Sequence, residues 1–142
     1  MAKTRIKKWS LIGVLLVILG YVGWVTAFEL RLGLGQPQFG NSTLVLHTTR
    51  SDGSTHDRVL ARLQDEAKLY VAVNHWPRSW YRLALTNPKV KVTAGGETRD
   101  YLAVRVTGEE EDYLHERFPM SLGAKFQMGF PPRRFVRLDT VN

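Results

Sequence analysis

Cysteine is absent from the chain, which excludes disulfides and thiolate-bound metals. Histidine is sparse and scattered. His47, His56, His75 and His115 lack the close spacing of a helical metal pair, so no metal site is expected. Neither a nucleophile elbow nor a phosphate-binding glycine loop is present. Gly33-Leu34-Gly35 falls short of a dinucleotide fingerprint, because Gln38 occupies the third glycine's place and no strand precedes it. There are no internal repeats and no low-complexity tract. At 142 residues the chain has room for one domain and not two.

Acidic residues are missing from the first 28 positions, whereas Lys3, Arg5, Lys7 and Lys8 supply four cations. Beyond residue 8, 16 basic residues face 13 acidic ones, too small an excess to argue for nucleic acid. Residues 1–8 are thus a basic flank. Residues 9–28 carry no charge at all, and twenty helical residues rise about 30 Å, the thickness of a bilayer's hydrocarbon. Trp9 at one end and Tyr21 and Trp24 near the other have the placement of interfacial anchors. This predicts a single-pass membrane protein whose cationic N-terminus is cytoplasmic, with the remaining domain on the outer side. A signal peptide cleaved after Ala27 and a buried core helix are the competing readings.

Residues 29–42, with Gly, Pro and polar punctuation, are predicted to be a linker, and residues 43–142 the folded domain. Strands are predicted over Thr43–Thr49, Arg58–Leu63, Leu69–Val73, Lys89–Thr93, Thr98–Thr107 and Arg133–Leu138. Turns fall at Arg50–Asp57, Asp65–Lys68 and Ala94-Gly95-Gly96. Short helices are predicted over Arg78–Leu85, Glu109–Arg117 and Leu122–Met128, the second with Thr107 and Glu110 at capping-box spacing. Six strands with few helices predict a mainly β (α+β) fold, a small antiparallel barrel with helices at its mouths. A doubly wound parallel sheet would need long helices between all strands.

Two clusters carry chemistry. Arg50-Ser51-Asp52-Gly53-Ser54-Thr55-His56-Asp57-Arg58 is either an ordinary polar hairpin turn or a phosphate cradle of backbone N–H groups and guanidinium forks. Asn74-His75-Trp76-Pro77-Arg78-Ser79-Trp80-Tyr81-Arg82 follows a fully apolar strand. Its rings can stack on a flat ligand and Arg78 or Arg82 can pair with an anion, while some of the aromatics must be core. His47 reads as structural and His115 as solvated. Asn41-Ser42-Thr43 matches a glycosylation sequon, a frequent chance match.

The order Leu-Val-Leu-His-Thr-Thr-Arg-Ser-Asp-Gly, then Leu-Tyr-Val-Ala-Val-Asn, then Trp-Tyr-Arg-Leu-Ala-Leu-Thr-Asn-Pro resembles the deazaflavin (F420)-dependent nitroreductase and quinone reductase family over roughly residues 42–118. The resemblance implies a split β-barrel, which in this chain would follow the transmembrane helix read from residues 9–28. It also implies hydride transfer from reduced F420, or alternatively FMN, to a quinone or nitroaromatic-like acceptor. Arg50, Ser51 and Gly53 would lie at the cofactor's phosphate with His56 and Arg58 adding contacts. Asn74, Trp76, Arg78 and Trp80 would flank the ring, and His75 or Tyr81 would donate to charge developing on the acceptor. Membrane lipid, the acceptor and a second copy of the chain, in a homodimer, are the implied partners; nucleic acid is not. The family's turn reads Gly-Arg-Lys-Ser-Gly where this chain has Thr-Arg-Ser-Asp-Gly, losing one cation and gaining an acid. That leaves open haem in place of a flavin, or a non-catalytic ligand- or partner-binding barrel, or a purely structural membrane protein. An outward-facing domain would also need its deazaflavin exported.

Overall fold

The computed structural model describes residues 2–35, 40–74 and 78–141, and over residues 2–9 and at 33 the backbone alone. Its elements are α1 (Ala2–Leu34), β1 (Thr43–Thr49), β2 (Thr55–Ala61), β3 (Leu63–Asp65), β4 (Lys68–Val73), α2 (Ser79–Thr86), β5 (Lys89–Ala94), β6 (Glu97–Arg105), α3 (Glu109–Arg117), α4 (Leu122–Gln127) and β7 (Arg134–Thr140). They form two compact units: residues 1–35 with 122–130, and residues 36–121 with 131–142.

In the first unit, Ser10–Leu32 has a mean hydropathy of 2.3 and none of it is buried, so it is no core helix. By length and composition it could cross a membrane. The helix runs on through Glu29-Leu30-Arg31-Leu32, all good helix formers, so the predicted linker loses its first six residues to α1. Thr26 returns its hydroxyl to the Val22 carbonyl (2.8 Å), removing a free donor from the apolar surface. Residues 122–130 pack on this helix. The Tyr21 hydroxyl donates to the Phe126 carbonyl (2.8 Å), and the two rings lie 4.9 Å apart. Gly129, at φ +72°, sits where a Cβ would come within 2.8 Å of the Val25 side chain.

The second unit is a seven-stranded antiparallel sheet in the order β2-β1-β5-β6-β7-β4-β3. Its two edges are consecutive in sequence. Ala61 pairs with Thr43 on one edge and Leu63 with Tyr70 on the other, leaving Arg62 as the single residue between them. A sheet whose first and last strands are joined by one residue must curl on itself. The predicted strand Arg58–Leu63 is therefore two strands, and the count is seven rather than six. Gly95 and Gly96, both at positive φ, make the tight β5–β6 turn.

Inward side chains of β1 (Leu44, Leu46), β4 (Val71, Val73), β5 (Val90, Val92) and β7 (Val136, Leu138) fill the curl, and α2 seals it with Trp80 and Ala84. A second cluster, Tyr70, Val106, Leu114 and Phe135, seats α3. The helix α3 starts where predicted, but the capping box does not form. Gly108, at φ +67°, is the N-cap and no side chain caps it. Glu110 instead turns to β4 and β7, accepting from Tyr70 (2.9 Å) and from Arg137 (2.7 and 3.0 Å), with Lys68 at 3.8 Å. Arg137 is shared with Asp139.

Burial pushes the Glu110 carboxyl up, but the hydrogen bonds from Arg137 and Tyr70 and the Lys68 charge outweigh it, so it sits below its ordinary value. Burial, then the Glu110 bond, pushes the Tyr70 phenol up to about 12. A depressed carboxylate stabilises above its unfolded pKa of about 4.3 and loses that as pH falls through the folded value. A raised phenol stabilises fully below pH about 10 and loses it as pH rises towards 12. Tyr70→Phe should thus lower stability at pH 7 by about 1 kcal/mol and abolish the alkaline limb. Urea midpoints of the full chain across pH check this; an unchanged alkaline limb would refute it.

Candidate functional site

The hairpin β1–β2 has an inward row that changes from apolar to polar towards its turn. Leu44 pairs with Leu60, Leu46 with Arg58, and Thr48 with His56. Thr48 is fully buried and donates to the His56 carbonyl (3.0 Å). Burial, and next the nearby Arg78 guanidinium, hold Arg58 below its ordinary value. Two guanidinium groups within electrostatic reach of one another favour an anion beside them.

The helix α2 lies over this row. Its Ser79 hydroxyl meets the His56 Nε2 (3.3 Å), while Arg78 is its N-cap in extended conformation. Near the turn, Thr49, Arg50 and Ser51 share a recess of about 250 Å³ with Arg82, Leu83, Thr86 and Asn87. The two sequence clusters therefore converge on one face, pairing residues 20 to 32 positions apart: Arg50 with Arg82, His56 with Ser79, and Arg58 with Arg78.

Within the turn, Arg50 reaches the Ser54 hydroxyl (3.3 Å) and the Thr55 carbonyl (3.4 Å), and Gly53 takes φ +81°. Asp52 accepts from the Ser54 hydroxyl (2.6 Å) and N–H (2.8 Å), which hold its carboxyl below its ordinary value. Asp52, the acid this turn gains, is thus held as a carboxylate and fixed in the turn, while Ser51 stands where the resembled pattern has its lysine.

Two predicted residues have structural duties. Trp80 is 2% exposed, its indole packed in the core and edge-on to Tyr81, so it offers no face for stacking and instead carries α2. Asn74 accepts from Arg133 Nε (2.9 Å), and Arg133 also donates to the Phe118 carbonyl and lies over the Phe135 ring. His75 and Trp76 lie outside the described residues. Outside the site, His47 bridges Asp57 (2.8 Å) and Thr93 (2.8 Å), as its structural reading expects.

Among the described residues, two buried side-chain polar atoms have no hydrogen-bond partner: Nδ1 of His56 and the hydroxyl of Tyr81. Both belong to the predicted set. Ser79, Thr49 and Thr86 were not in it. For Ser79 and Thr86 the signal was helical spacing, since 79, 82–83 and 86 fall on one stripe of α2, whereas Thr49, at the end of β1, gave none.

The family model for F420H(2)-dependent quinone reductases matches residues 25–130. The chain belongs to this family. Membership makes it one of a family of oxidoreductases. The F420-H2 dependent reductase FDR-A superposes with a TM-score of 0.58 at 19% identity, over 74% of this chain and 100% of its own. A domain-swapped dimer gives 0.58 at 21% identity, over 85% and 98%. HutZ, the heme storage protein from Vibrio cholerae, gives 0.50 at 20%, over 72% and 83%. These likenesses agree with the split-barrel fold. No curated protein matches.

The family's cofactor is flat and anionic, and the residues present fit such a group. Arg50 and Arg82 could hold phosphate, and the orphaned Nδ1 and hydroxyl could bond ring or acceptor atoms. A buried unpartnered hydroxyl costs about 1–3 kcal/mol. Tyr81→Phe should accordingly raise the stability of the ligand-free protein by about 1 kcal/mol. Chemical denaturation checks it; a loss of stability would mean that the hydroxyl is already satisfied.

Proposed function

We propose that this family member is a membrane-anchored reductase that moves a hydride from reduced deazaflavin F420 to a quinone or nitroaromatic-like acceptor. The observation that carries the reading is the convergence of the Arg50–Arg58 hairpin with α2, which gathers cations and the His56 ring with its unpartnered Nδ1. When bound, reduced F420 supplies the hydride. Arg50 and Arg82 hold the anionic end, with Ser51 and Gly53 offering the turn's hydroxyl and backbone. Arg58, Arg78 and His56 neutralise and orient the inner part of the ligand. Tyr81 donates to the acceptor oxygen as negative charge grows there, and His75 is the alternative donor.

The exposed apolar helix α1 supports anchoring, which would keep the site where lipophilic acceptors partition. The four N-terminal cations support a cytoplasmic N-terminus. The domain-swapped relative supports a homodimer. Asp52 favours the second reading, a non-catalytic binding domain, because a fixed negative charge in the turn opposes a polyanion.

Titration of the full chain in detergent, read by quenching of its four tryptophans, tests this. Oxidised F420 should bind saturably and FMN more weakly. Arg50→Ala and Arg82→Ala should each weaken binding by about tenfold, the loss of one charge-assisted contact. Asp52→Asn keeps the turn's acceptor and should tighten binding roughly two- to fivefold. Reduced F420 with menadione should then turn over. A flat titration of folded protein would remove the cofactor and leave the binding domain.

A further inference from the structure

Residues 122–130 interrupt the path from α3 to β7 and belong with the anchor rather than with the barrel. This segment is unlike an ordinary surface loop. Leu122, Phe126 and Phe130 are 76%, 55% and 58% exposed, three large apolar side chains within nine residues. The Phe126 and Phe130 rings lie edge to face at 6.4 Å. Scattered single apolar residues need no explanation, but a cluster fixed in place does.

What fixes it is α1. The Tyr21 hydroxyl bonds the Phe126 carbonyl and the Tyr21 ring packs on the Phe126 ring, while Gly129 allows the backbone to approach Val25. Tyr21 and Val25 lie seven and three residues before Phe28, the last uncharged position ahead of Glu29. At 1.5 Å per residue these contacts are about 10 and 5 Å inside the end of the apolar stretch. An apolar face lying in a bilayer's interface is buried about 5–10 Å. The two depths coincide.

The backbone of the segment suits that setting. Ala124, Lys125 and Phe126 carbonyls accept from Met128 (3.1 Å), Phe130 (2.8 Å) and Gly129 (3.3 Å), and Phe126 accepts the Tyr21 hydroxyl as well. Lipid offers no hydrogen bonds, so carbonyls satisfied within the protein are what it tolerates. Lys125, the segment's one charge, is exposed on a long stem that can reach the headgroups.

We infer that residues 122–130 are a second membrane-seated element, which lays Leu122, Phe126 and Phe130 into the interface of the leaflet that receives the C-terminal half of α1. This inference rests on α1 being a membrane span. The occupant of the exposed face is lipid, since the same helix that carries the segment is apolar all round at that depth.

The absence of cysteine makes the test direct. Single-cysteine variants Leu122→Cys and Phe130→Cys of the full chain are labelled with an environment-sensitive fluorophore and reconstituted into phosphatidylcholine–phosphatidylglycerol vesicles. Val17→Cys reports the span, and Gln64→Cys, at the exposed position of β3, reports water. Labels at 122 and 130 should be quenched by shallow doxyl lipid and be roughly threefold or more less accessible to iodide than the label at 64. Iodide access equal to that at 64, with the label at 17 buried, overturns the inference and leaves the span intact. Protection from iodide without doxyl quenching also overturns it, because protein rather than lipid would then cover the face. A water-exposed label at 17 removes the span and the inference together.

Discussion

A strand that changes partners across one residue governs the folded domain. Because Ala61 belongs to one edge of the sheet and Leu63 to the other, the sheet has no freedom to lie flat. Curling gives it an interior, and the interior must be filled, since valines and leucines facing a void would forfeit their contacts. The strands alone do not fill it. The indole of Trp80 and the methyl of Ala84 complete the packing, which pins α2 against the hairpin β1–β2. The site is thus a by-product of a packing requirement: Ser79, Tyr81 and Arg82 are where they are because Trp80 has to be inside.

Magnitudes explain how such a site persists. Truncating a buried tryptophan costs about 3–5 kcal/mol, whereas each orphaned polar atom costs about 1–3. The core contact is therefore strong enough to hold neighbouring groups in an arrangement that is unfavourable by itself. Arg58 on the inward row illustrates this, a cation placed where Leu46 is its cross-strand neighbour. Local disagreement of this sort between residue type and environment is characteristic of functional sites.

The strong periodic signals were legible in the sequence. Thr43–Thr49 and Glu109–Arg117 fall as read, and β4, β5 and α2 differ by a residue at their ends. The three-residue strand β3 was invisible because so short a run has no period. The bend at Arg62 was equally hidden, being set by pairings to Thr43 and Tyr70 that lie far off in sequence. The capping-box spacing misled, since Glu110 found stronger partners in Arg137 and Tyr70 than the helix's own N–H groups could offer. The helix α1 outran its predicted end because Glu29 and Arg31 mark the end of apolar character, not of helical propensity. For the site, residue types announced both clusters, but not that they meet. Nor did sequence decide which neighbouring aromatic turns inward; Trp80 took the core, and the Tyr81 hydroxyl stayed unpartnered.

The unpartnered His56 nitrogen and Tyr81 hydroxyl bear on how much of the protein a cell contains. A ligand that satisfies them removes their penalty and adds its own binding energy, so occupied copies unfold less often than vacant ones. Proteases sample the unfolded fraction, and a difference of 1–2 kcal/mol alters abundance about several-fold. Vacant copies would be cleared first. The standing amount of the protein would then follow the supply of any ligand that satisfies them.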